Sequence, residues 1–96
     1  IPPFSRAGKT FEGLPEHIYD SLIRWVDEGR RPGGFLVACL CNDLMGAIGR
    51  ADPVNATLLV PITQFIWNEL PSPCWGNPEK LDIWQSKKEI AREAAR

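Results

Sequence analysis

Ninety-six residues, 44% apolar and 24% charged, describe a single domain in the composition range of soluble globular proteins. Eleven basic against twelve acidic residues, for a net charge of −1 and a pI of about 5.8, exclude a global basic field that would draw DNA or an anionic membrane. A chain this short buries only about two-thirds of its unfolded surface. Its core is therefore thin, and some of its four tryptophans are expected at the rim, at a subunit seam or in a pocket.

Residues 1–13 carry two prolines and two glycines without periodicity and are expected to be an extended arm. The start lacks a charged segment ahead of an apolar run, so no signal peptide is expected. Gly8-Lys9-Thr10 resembles the end of a phosphate-binding P-loop, but Pro3 stands where the first glycine belongs and no strand pattern precedes it. The rest, residues 14–96, reads as one all-α domain: a compact bundle of four helices, or five if Pro61 divides the third.

The first helix is predicted over Pro15–Glu28, with Ile18, Leu22, Trp25 and Val26 at helical spacing and Gly29 as its stop. A second, apolar nearly all round, is predicted from Gly34 to about Ile48 and should be the most buried. Asp52-Pro53 is a cap-then-proline restart, and a third helix follows to about Leu70 with Leu58, Leu59, Ile62, Phe65 and Ile66 inward. Residues 70–76 form a loop. Asn77-Pro78 repeats the restart and opens a last helix to about Ala94, with Ile83, Ile90 and Ala94 as its narrow inward stripe.

No catalytic or metal constellation is legible. Cys39 and Cys41 project about 200° apart on a helix, so they read as small packing groups. His17 is the sole histidine and has no evident partner. Three cysteines cannot all pair internally, which fits a reducing, cytoplasmic compartment. No segment approaches the ~20 apolar residues of a membrane span. The chain reads as a binding protein without catalysis, cofactor or metal.

The candidate site is Arg30-Arg31-Pro32-Gly33-Gly34. Two guanidinium forks precede the free amides of a helix start, a combination suited to phosphate or carboxylate. The plainer alternative is a turn with solvated arginines. Antiparallel helices would put residues 29–34 and 71–77 at one end and 49–53 at the other, so that Trp75 could stack a base beside Arg30, Arg31, Gly33 and Gly34. Asn42 in the second helix and Asn68 in the third either satisfy neighbouring loops or read a ligand's donors and acceptors.

The stretch from Leu14 to Trp84 resembles a family of small, mostly uncharacterised accessory proteins of tailed phages and prophages. The matching residues are Leu14-Pro15, Gly29-Arg30, Pro32-Gly33-Gly34-Phe35-Leu36, Asn42-Asp43-Leu44, Arg50-Ala51-Asp52, Asn68-Glu69 and Cys74-Trp75-Gly76. The resemblance implies a viral protein in the cytoplasm of a bacterial host and gives no activity. As a class, such proteins counter host defence by binding a host protein or a nucleotide signal. The expected function is thus non-catalytic capture of a small anionic ligand, a nucleotide or cyclic nucleotide, with Arg30 and Arg31 on phosphate. The alternative is a protein–protein inhibitor or adaptor that docks through tryptophan-bearing helix faces. In either case apolar surface is left to cover, and a homo-oligomer is expected.

Overall fold

A computed structural model describes residues 14–95; the expected arm, residues 1–13, with its Gly8-Lys9-Thr10, lies outside them. Among the described residues, six α-helices and one short 3-10 turn make an all-α bundle: α1 (Glu16–Glu28), α2 (Gly34–Leu40), α3 (Leu44–Arg50), α4 (Pro53–Thr57), α5 (Leu59–Glu69), the turn Ser72–Cys74, and α6 (Pro78–Ala94). The four expected helical regions are all present, and two of them are divided.

Helix α1 buries Ile18, Leu22, Trp25 and Val26 as its spacing predicts. Pro15 caps it from outside, its carbonyl accepting the amides of Ile18 and Tyr19. Gly29 ends it at φ +70°, donating its amide to the Trp25 carbonyl.

The single helix expected over 34–48 is two helices. Asn42 adopts φ +62°, its amide bonds the Cys39 carbonyl, and the Asp43 amide reaches back to Ala38. That pair of bonds is a Schellman stop with asparagine in the left-handed position. Asp43 then caps α3, its carboxylate accepting the Gly46 amide at 2.9 Å. The polar pair is therefore the hinge of a helical hairpin, both residues exposed.

The third region divides at Leu58, three residues ahead of Pro61. Pro61 has no amide to donate, and its ring crowds the carbonyl of Thr57, so α4 must end there. Asp52 caps α4 through the Asn55 amide, and Asn77 caps α6 through the Lys80 amide.

Tryptophans tie the layers together. The Trp25 indole, fully buried, donates to the Cys74 carbonyl at 2.9 Å. Trp84 donates from α6 to the Trp25 carbonyl at 3.1 Å, and Tyr19 meets Phe65 edge-on at 6.0 Å. The inward stripe expected of α6 is wrong by a rotation. Ile83, Ile90 and Ala94 face solvent, while Leu81 is buried and Trp84 and Lys88 are half-buried. Two contacts fix this rotation: the Trp84 indole needs its acceptor on α1, and the missing side chain at Gly29 lets the Lys88 stem lie against it. The bundle is flat, 40 × 30 × 19 Å, and at 19 Å it is too thin to bury an apolar residue on every face.

Candidate functional site

The hinge at Asn42 folds α3 back along α2 and returns Arg50, at the end of α3, to the neighbourhood of Gly34. A Cβ on Gly34 would stand 3.2 Å from Arg50 Cδ, so glycine there permits the close approach. The expectation that residues 49–53 occupy the opposite end of the bundle is overturned by this hairpin.

Arg31 and Arg50 line one hollow of about 500 Å³. Its floor is apolar, made by Pro32, Val37, Ala38 and Cys41, and Gly34, Asp43 and Pro78 complete the rim. Volume and lining both fall in the range of small-molecule sites, an apolar cleft with a few polar groups at its mouth.

The two arginines are held differently. Arg31 donates from Nε to Gln85 and from Nη2 to Asp82, and its guanidinium carbon lies 5.9 Å from the Trp25 ring centroid. It is a strut between the 29–33 turn and α6, with much of its charge already answered. Arg50 donates to the Gly46 carbonyl at 3.2 Å, and no carboxylate among the described residues pairs with it. Arg50 is the cation more available to an incoming anion. The sequence placed it in a connection but not in the site, because only the hairpin brings it to residue 34.

The other expected site residues are dispersed. Arg30 pairs with Glu28 at 2.7 Å and borders a separate polar hollow with Glu89, Arg92 and Glu93. Gly33 caps α2, exposed, beside the main hollow without lining it. Trp75 does not reach the hollow: its indole donates to Leu70, its ring packs 5.5 Å from that of Trp67, and the adjoining Gly76 amide bonds Leu40. Leu40 ends α2 as Gly34 begins it, so the loop meets the wrong end of that helix for Trp75 to stack a ligand beside Gly34. Asn42 lines a smaller hollow of about 190 Å³ between α3 and α5, and Asn68 is exposed on α5. Neither asparagine bonds the 30–34 or 71–76 loop among the described hydrogen bonds.

Burial pushes the Cys39 thiol up to about 11, and Cys41 is raised by burial against a smaller opposing pull from Arg31. Both are thiols, not thiolates, at neutral pH. No group of three or more His, Cys, Asp or Glu is arranged to hold a metal among the described residues, and no helix there is long and apolar enough to cross a membrane. Chemically, the hollow can hold a molecule with an apolar body and an anionic end. No protein-family model, curated protein or solved structure matches the chain.

Proposed function

We propose that this protein is a non-catalytic binding protein that captures a small anionic ligand in the hollow between α2, α3 and the start of α6. One observation carries the reading: Arg31 and Arg50 both line a single, largely apolar hollow of about 500 Å³. Arginine's planar fork suits phosphate or carboxylate, and the apolar floor suits a flat ring or hydrocarbon body. A nucleotide or cyclic nucleotide combines the two. Together with the resemblance to tailed-phage accessory proteins, this favours sequestration of a nucleotide defence signal, a role needing tight binding and no turnover.

Thermal melting against mono-, di- and cyclic nucleotides tests it. A ligand at a hundred times its dissociation constant adds about 2.7 kcal/mol, a rise of about 10 °C or more for a domain of this size. Arg50→Ala removes a side chain whose described bond is to a carbonyl of its own helix, so the variant stays folded and the ligand shift is lost. Absence of any shift across the panel refutes the nucleotide reading.

A second reading, an inhibitor or adaptor that grips another protein, is favoured by Trp67, which is 72% exposed beside Trp75. Aromatic anchors of this kind dominate protein interfaces. Capture of a host protein that fails with Trp67→Ala and survives Arg50→Ala supports this reading over the first.

A further inference from the structure

The outer face of α3 and α5 is apolar to a degree that the rest of the described surface is not. Met45 is 78% exposed, Val60 62% and Leu44 60%, and Ile48 and Trp67 stand with them. Leu44, Met45 and Ile48 share one side of α3 by their three- and four-residue spacings. Val60 and Trp67 are seven apart on α5, two turns along one stripe. The two helices face each other across a hollow here: Leu44 and Ala47 of α3 line the 190 Å³ space with Leu59 and Thr63 of α5. The exposed areas of these five residues sum to roughly 700 Å², near the ~800 Å² each partner gives to a standard interface.

The helical segments that carry this face are also free of charge. Leu44–Gly49 and Pro53–Asn68 contain no Asp, Glu, Lys or Arg, although both segments include residues on the outside of the molecule. The exposed isoleucines of α6, by contrast, lie singly among lysines and glutamates. Thr63 turns its hydroxyl onto the carbonyls of Leu59 and Val60, so it asks nothing of solvent. Asn42 and Asp43 also line the 190 Å³ hollow, and the Asp43 carboxylate there accepts the Gly46 amide.

We propose that this face is a self-association surface, closed in solution by a second copy of the chain about a twofold axis. A face without cations offers nothing to nucleic acid or to anionic lipid. With no charges to pair, it also offers no electrostatic complement to a charged partner. It does carry what an isologous contact requires: a hollow and projecting side chains on the same patch, so that each copy supplies a knob and receives one. Met45, unbranched and adaptable, is the knob suited to a hollow lined by Cys39, Leu44, Ala47, Leu59 and Thr63 together with Asn42 and Asp43.

Sedimentation velocity at micromolar concentration reads the outcome, with circular dichroism confirming that each variant is folded. The expected species is twice 10.8 kDa for the wild type and for Ile83→Glu on α6, and 10.8 kDa for Met45→Glu and Val60→Glu. Met45 and Val60 are surface residues, so neither substitution disturbs the core. A monomeric wild type overturns the proposal and leaves the face to an unlike protein. A dimer that survives either Met45→Glu or Val60→Glu, or that Ile83→Glu also dissolves, overturns it too.

Discussion

Trp25→Phe removes the indole nitrogen that ties α1 to the loop after α5 while keeping an aromatic ring in place. The lost bond, 2.9 Å to the Cys74 carbonyl, lies in the interior, where both residues are fully buried. Stripping a buried carbonyl of such a donor costs about 1–3 kcal/mol. The smaller ring leaves a void worth about 1 kcal/mol more. The contacts of Arg31 with the ring and of Trp84 with the Trp25 main-chain carbonyl need only an aromatic residue and a backbone, and they survive. The expected loss is therefore about 2–4 kcal/mol, a fall in melting temperature of roughly 10–25 °C by calorimetry for a domain this small. Trp84→Phe, which removes a half-buried donor, should cost about 1 kcal/mol. A fall of only a few degrees in Trp25→Phe, or a larger one in Trp84→Phe, would refute the idea that the buried indole pins the 71–76 loop.

Gly29→Ala forces a side chain into a left-handed backbone position, at about 1–2 kcal/mol, and sets its Cβ 2.5 Å from Lys88 Cβ. Helix α6 must shift, and the melting temperature should drop by more than about 5 °C. Asp52→Ala removes the cap of a five-residue helix that buries no side chain, at about 1 kcal/mol, and hydrogen exchange should show α4 opening ahead of the rest. Because folding raises the Cys39 pKa from 9.0 to about 11, the native state holds that proton more tightly than the unfolded chain. The resulting stability is complete below pH 9.0 and lost as pH climbs toward 11, so Cys39→Ala should flatten the decline in melting temperature over that window.

Much of the fold was legible because local signals and burial agree. Asp52-Pro53 and Asn77-Pro78 mark true helix starts, and α1 buries the four residues its spacing selects. The break at Asn42 was hidden by the apolar run around it, and the Asp43 cap that opens α3 shows only once the chain has folded. The left-handed conformation of Asn42 is stabilised by a hairpin that only tertiary packing reveals. The facing of α6 failed for a related reason: branched aliphatics outrank a tryptophan in a stripe count, yet the indole has a partner on α1 and the isoleucines have none there. Of the expected site, Arg31 and Gly34 line one hollow. Arg50 joins them across nineteen positions of sequence, a distance that spacing alone does not bridge.

The four tryptophans also form a graded set of optical reporters. Trp25 is sealed from water, Trp75 and Trp84 are half-covered, and Trp67 stands in solvent. Emission from a single, uncovered copy is thus a composite, with a blue component from Trp25 and a red one from Trp67. Iodide, which stays in water, quenches the red edge and leaves the blue edge bright. Occlusion of the α5 stripe protects the red edge while the blue edge holds still, whereas unfolding moves the blue edge. One unlabelled sample can therefore separate surface coverage from loss of the fold.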